Sequence, residues 1–251
     1  MIVHPAPGAA ARLPFWHGDY GGRPATLATR IGTLTRALAE AGSEPAREAL
    51  AVRLGADRTL IDALHGWLAR QRAHAGLAPD DRTLLLEQHR DETGALRLVL
   101  HAPFGVRVTA PWALALAQRL RERLGTDVVP MAINEGLMLR LPDLRGDAPV
   151  TSVSTLAADE AERRLTDEVG GTALFGARFR MNAARAHVLP RSTPGRRLPL
   201  WMQRLKAQDL LEAVRREPSF PLLVETYRDV LQDAFDVPAL GFRRRHVDGA
   251  G

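Results

Sequence analysis

Between Arg82 and Leu141 the apolar residues twice abandon helical spacing for strict alternation, and this constrains the fold more than any other feature of the chain. R-T-L-L-L-E-Q-H-R (Arg82 to Arg90) and A-L-R-L-V-L-H-A (Ala95 to Ala102) flank D-E-T-G. Gly94 stands where a positive φ is cheap, so the unit reads as a β-hairpin. Asp127 to Ile133 and Gly136 to Leu141 repeat the arrangement around N-E-G. Between them Pro111 opens an amphipathic helix through Leu124, since proline suits the first helical turn. The middle of the chain is therefore predicted to be ββαββ. Its fold class is α+β: a small antiparallel sheet from two hairpins, flanked by helices, with a helical C-terminal third.

Helical spacing returns on either side. Residues 1–23, rich in Pro, Gly and Ala and ending near P-F-W-H-G-D-Y-G-G, read as an extended leader and loop. Pro24 then opens a helix in which Leu27, Ile31, Leu34 and Leu38 form one stripe, stopped at Gly42. Asp57 is the expected N-cap of a second helix carrying Leu60, Ile61, Leu64, Trp67 and Leu68 as far as Gly76. Trp67 and Trp112 both fall on these apolar stripes and are assigned to the core. Beyond the loop Pro142 to Pro149 the spacing predicts helices at about Leu156 to Val169, about Leu174 to Leu189, Leu200 to Arg216, and Pro221 to Phe235. Residues 24–149 thus form the helices plus ββαββ part, 150–240 a helical basic part of the same domain, and 241–251 an off-pattern tail.

Composition excludes several classes of function. With 251 residues, 45% of them hydrophobic, the chain can bury a real core. No run approaches the roughly 18 to 20 apolar residues needed to span a bilayer, and the N-terminus lacks a signal-peptide pattern, so a cytoplasmic protein without a membrane partner is expected. Absence of cysteine removes disulfides, thiolate metal sites and thiol chemistry. The one lysine, Lys206, follows Leu205, so the phosphate-binding loop G-x-x-x-x-G-K-[ST] is missing. D-E-A-E at Asp159 to Glu162 stands in a helical context with no such loop upstream, and the histidines show no metal-binding spacing. No serine sits in G-x-S-x-G. No catalytic, metal or cofactor residue is expected in this chain.

What remains is charge. From Leu174 to Lys206 there are seven arginines and one lysine without a single acid, whereas the whole chain nets +5. Everything else therefore sums to −3, and the basicity is local. Cations neutralise phosphates and flat rings stack on unpaired bases, so a block that also holds Phe175, Phe179 and Trp201 has the ingredients of a nucleic-acid contact. Helical spacing places Arg178, Asn182 and Arg185 on one polar face beside an apolar one. A solvated basic face is the bland alternative. Trp201 either anchors its turn or stacks, and Trp16, in a Gly-rich loop, either plugs the core or projects toward a ligand.

Five strings occur in order: P-F-W-H-G-D-Y-G-G-R-P (Pro14 to Pro24), H-A-P-F-G-V-R-V-T-A-P-W-A-L-A-L (His101 to Leu116), L-F-G-A-R-F-R-M-N-A-A-R-A (Leu174 to Ala186), P-G-R-R-L-P-L-W-M-Q-R (Pro194 to Arg204) and P-S-F-P-L-L-V-E-T-Y-R-D-V-L-Q-D (Pro218 to Asp233). Together they resemble the DEAD/DEAH-associated domain of bacterial large helicase-related proteins, superfamily 2 helicases, from about Ile2 to about Leu240. The resemblance implies a role in an ATP-dependent helicase that moves 3′ to 5′ along single-stranded DNA in DNA repair. ATP and Mg would belong to RecA-like motor domains, which with a winged helix precede this domain in the family. Single-stranded DNA or an RNA–DNA hybrid is the implied partner. Trp16 is the matching candidate for a base-stacking aromatic. Arg178, Arg180, Arg185, Arg196, Arg197 and Trp201 are the candidates for the remaining contacts. Without the motor this chain is expected to be a fragment, a truncated or split gene product. The competing expectation is a structural fragment that docks on a helicase motor without touching nucleic acid.

Overall fold

The computed structural model describes residues 22–141, 156–189 and 199–240. Three helices, α1 (Ala25–Glu40), α2 (Glu44–Leu54) and α3 (Arg58–Ala75), lead into the hairpin β1 (Leu85–Arg90) and β2 (Leu96–His101). Helix α4 (Val106–Leu124) connects this to the hairpin β3 (Val129–Ile133) and β4 (Gly136–Leu141). Then follow α5 (Ala158–Val169), α6 (Ala173–Arg185), α7 (Leu200–Val214) and α8 (Pro221–Arg228), the last continued by a π-helical turn, Asp229–Ala234. The α+β class and both hairpins are as the alternation required.

The hairpins join through their inner strands, giving one antiparallel sheet of order β1-β2-β4-β3. Leu96, Leu98 and Leu100 lie opposite Leu141, Leu139 and Leu137, and all six are buried with Val108, Trp112, Leu116 and Leu120 of α4. One sheet face is thus covered by a single helix. Gly136 is forced by close approach, because a Cβ there would stand 2.3 Å from the Leu100 carbonyl oxygen. Gly105 holds φ +87° before α4 and leaves no room for a Cβ against the Arg23 carbonyl. Since Gly105 has no capping side chain, Asn134 supplies one from the β3–β4 turn: its Oδ1 accepts from the backbone N–H of Val106 (3.1 Å) and of Arg23 (3.0 Å). That amide holds the entering chain, the helix start and the turn together.

Three departures from the sequence pattern have physical causes. Helix α4 begins at Val106, so Pro111 lies inside it rather than at its start. Proline removes the amide that would bond the carbonyl of Arg107, and that carbonyl instead accepts from the backbone N–H of Asp236 at 2.8 Å. The break in the ladder is thereby a docking point for the C-terminal segment. Helix α2 was absent from the periodic reading because only Leu50 and Ala51 of its residues are buried, too few to draw a stripe; its Ser43 cap and left-handed Gly55 define it instead. Trp112 is core at 3% exposure, but Trp67 is 57% exposed. On α3 it is Ile61 and Leu68 that turn inward, while Leu60, Leu64 and Trp67 face outward at helical spacing.

Two further cores complete the molecule. The α1–α3 bundle buries Leu38, Leu50, Ile61 and Leu68. The C-terminal helices bury Leu165, Phe175, Phe179, Leu211, Leu223 and Val230. Arginines stitch α4 to α5: Arg164 meets Glu160 and Glu122, and Arg121 meets Glu168 at 2.9 Å.

Candidate nucleic-acid interface

The basic block divides between α6 and α7. Thr172 caps α6 by accepting from the backbone N–H of Phe175, and the helix then buries Phe175, Phe179, Asn182 and Ala183. Phe175 also meets the Tyr227 ring at 4.6 Å between centroids, tying α6 to α8. At about 100° per residue Asn182 falls beside Phe175 at the edge of this buried stripe, and not on a solvent face. That corrects the polar face expected from spacing. Asn182 is 7% exposed and its Nδ2 donates to Thr226 Oγ1 (3.3 Å) and Asp229 Oδ2 (3.4 Å). A buried amide requires such partners, and α8 with its π-helical turn supplies them.

Arg178 follows Asn182 inward. Its Nη1 lies 3.8 Å from Asp229 Oδ1, with side-chain exposures of 20% and 12%. Part of the block is therefore structural. Arg185 is exposed and, among the described residues, bonds at 3.5 Å to Asn182 Oδ1, and Arg180 leaves the helix on another flank, roughly 200° around from Arg178. Neither Arg180 nor Arg185 has a carboxylate partner among the described residues.

Helix α7 presents the opposite picture. Only Ala207, Leu211 and Val214 are buried. Its first two turns stand outward: Trp201 is 63% exposed, Leu200 72% and Leu205 50%, with Arg204 and Lys206 exposed beside them. Trp201 thus does not anchor the core. Trp16, Arg196 and Arg197 lie outside the described residues. Asp229 is the residue that sequence reasoning missed. Its only signal was position, directly after α8 and about one turn beyond Thr226, which also faces inward. Among the described residues no group of three or more His, Asp or Glu could hold a metal ion, and no helix is long and apolar enough to cross a membrane.

Comparison with known proteins places this geometry in a family. Residues 78–244 match the family described as DEAD/H associated. The chain is 47% identical over 240 residues to the Lhr helicase/probable uracil glycosylase of Mycolicibacterium smegmatis, covering 96% of this chain and 16% of that protein. It is 41% identical to the Lhr helicase/uracil glycosylase of Escherichia coli, again covering 16% of that protein, and 26% identical to the ATP-dependent helicase Lhr-Core of Saccharolobus solfataricus, covering 28%. A solved structure of Mycobacterium smegmatis helicase Lhr bound to ssDNA and AMP-PNP superposes with a TM-score of 0.81 at 45% identity, over 97% of this chain and 31% of that one. The chain thus spans less than a third of the length of each of these relatives.

Proposed function

The chain belongs to the DEAD/H associated family, and from that premise we propose that it is the accessory nucleic-acid-binding region of an ATP-dependent helicase, moving 3′ to 5′ on DNA in repair and contacting the tracking single strand. One observation carries the reading. A solvent-facing indole, Trp201, stands in a basic stretch of sequence without acids, on a fold shared with a helicase solved with single-stranded DNA. In this assignment Arg180, Arg185, Arg196 and Arg197 neutralise phosphates, and Trp201 and Trp16 offer stacking surfaces. Arg178, already facing Asp229, contributes to the shape of the surface more than to its charge. ATP and Mg are assigned to RecA-like motor domains outside this chain, with a winged helix beside them, in the cytoplasm. An RNA–DNA hybrid suits the same phosphate and stacking chemistry.

A second reading, docking on the motor without nucleic-acid contact, is favoured by one specific observation: Leu60, Leu64 and Trp67 form an outward apolar stripe on α3. Fluorescence anisotropy of labelled single-stranded DNA at about 50 and 200 mM salt separates the two. Four phosphate contacts predict a slope near −2.8 in log K against log salt, about a 50-fold loss of affinity between those concentrations. Trp16→Ala should weaken binding by about 1 to 3 kcal/mol and leave the slope alone. Absence of binding at the lower salt would leave only the docking role.

A further inference from the structure

Helix α4 covers one face of the sheet, and the other is open among the described residues, with Met131 56% and Ile133 62% exposed. The register sets Val99, Met138 and Met131 side by side on that open face and Ile133 against Gly136, which has no side chain. A shallow apolar groove of about 280 Å³ results, with Gly136 and His101 at one end. Charge divides the face along its strands. Two carboxylates, Glu87 and Glu135, share the Gly136 end with one arginine, Arg23; two arginines, Arg97 and Arg140, share the other end with one carboxylate, Asp91. The molecule has a second open apolar surface, the stripe Leu60, Leu64 and Trp67 on α3. Its charge is divided too. Around the start of α3 the carboxylates of Glu44, Glu48, Asp57 and Asp62 outnumber Arg47 and Arg58, whereas Arg70 and Arg72 stand exposed toward its end.

We propose that the chain self-associates head to tail, the α3 stripe of one copy lying in the sheet groove of a second copy. This rests on neither functional reading. Dimensions agree: Leu60 to Trp67 covers about 10 Å along a helix and Val129 to Ile133 about 13 Å along a strand, while β2 to β3 is about 10 Å across, near the diameter of one helix. Orientation is set twice over. Opposite charges meet only when the start of α3 lies over Arg97 and Arg140 and its end, with Arg70, over Glu87 and Glu135. That same direction carries Trp67, the largest side chain of the stripe, to the hollow over Gly136. A second copy is selected over an unrelated helix because the apolar and the charged halves of the contact are both present on this chain. Since the two surfaces differ, the contact is heterologous, and each associated pair still offers one free stripe and one free groove.

Sedimentation equilibrium of the full chain tests this. One helix on part of one sheet face lies at the low end of specific interfaces, so the weight-average mass of the wild type should rise above that of the monomer as concentration approaches about 100 μM. Met131→Glu spoils the groove and Trp67→Glu spoils the stripe, so each variant alone should stay monomeric. An equimolar mixture of the two should form a complex of one copy of each and nothing larger, because each supplies the surface that the other lacks. Both positions are exposed, so far-UV circular dichroism should be unchanged; Ile133→Glu and Leu60→Glu, also exposed, replace either variant that fails to fold. A wild type that stays monomeric would overturn the proposal, and so would a variant that associates as the wild type does. A mixture that remains monomeric while the wild type associates would overturn it as well, since like surfaces would then be meeting like.

Discussion

Helix α6 and the first two turns of α7 come from one acid-free stretch, yet they use their cations in opposite ways. Helix α6 turns two phenylalanines and an asparagine inward and directs Arg178 at Asp229. Helix α7 buries only three residues and leaves Trp201, Arg204, Leu205 and Lys206 in solvent. For α6 the outcome is decided elsewhere, by a carboxylate 47 positions beyond Asn182. Whether an arginine is glue or surface is thus a property of what packs against it, and each helix can be challenged separately.

The largest difference should appear in stability. Phe179 is fully buried, so Phe179→Ala should cost about 3 to 5 kcal/mol, from lost apolar transfer and the cavity left behind. Trp201→Ala removes a larger ring and should still change stability by less than about 0.5 kcal/mol. Urea melts of the two variants check this. A Trp201→Ala loss above about 2 kcal/mol would make α7 a packed helix and erase the contrast. Next in size is Asp229→Ala, which removes one of two acceptors from the buried Asn182 amide and the carboxylate that faces Arg178; about 1 to 3 kcal/mol should be lost. Asp229→Asn, which keeps an acceptor oxygen, should cost less.

The sheet offers an acid-sensitive version of the same glue. Asp91, in the β1–β2 turn, accepts from the Thr93 hydroxyl at 2.6 Å and pairs with Arg97 and Arg140 at 3.0 Å each. Its carboxyl is held far below the ordinary carboxylate range, first by the Thr93 hydroxyl and then, against the opposing effect of burial, by Arg140, the Thr93 amide and Arg97. Since the folded form binds its proton more weakly than the unfolded chain, this stabilisation is complete above the ordinary value near 4 and fades as pH falls below it. Stability of the wild type should therefore decline more steeply between about pH 4 and 2 than that of Asp91→Asn, measured by denaturant melts across that range. Parallel curves would mean that the arginines do not depend on this carboxylate.

How much of this was written in the sequence depends on whether the cause was local. Both hairpins were legible because alternation and turn residues act over fewer than ten positions, and β4 spans the residues assigned to it. Asp57 caps α3 as expected, through the Thr59 amide at 2.7 Å. Helix α2 was missed for want of an apolar stripe, and the other failures are long-range. Helix α4 runs through Pro111 because a segment near Asp236 takes up the orphaned carbonyl, and no window around the proline contains that information. Trp67 shares a helix with Leu68, one residue on, but only the latter faces α1 and α2. At the candidate interface the acid-free block was visible at once. Its division into a packed and an open half required Asp229 and Thr226, which have no periodic relation to it.

The smallest expected effect sharpens the comparison most, because it tests individual cations within α6. Each phosphate contact on a single strand contributes about 0.7 to the slope of log affinity against log salt. If Arg180 or Arg185 makes such a contact, Arg180→Ala or Arg185→Ala should reduce the slope by about that much, with less than about 0.5 kcal/mol lost from stability. Arg178→Ala should behave differently. Its guanidinium already faces Asp229, so it has little free charge to give a phosphate, and its removal should lower stability by roughly 0.5 to 1.5 kcal/mol while leaving the salt slope within error. From spacing alone Arg178 was the leading phosphate contact, sharing a face with Arg185, so the two expectations collide at one residue. A slope reduced by about 0.7 in Arg178→Ala with unaltered stability would show that the pair with Asp229 opens when the strand binds, and that α6 is surface after all.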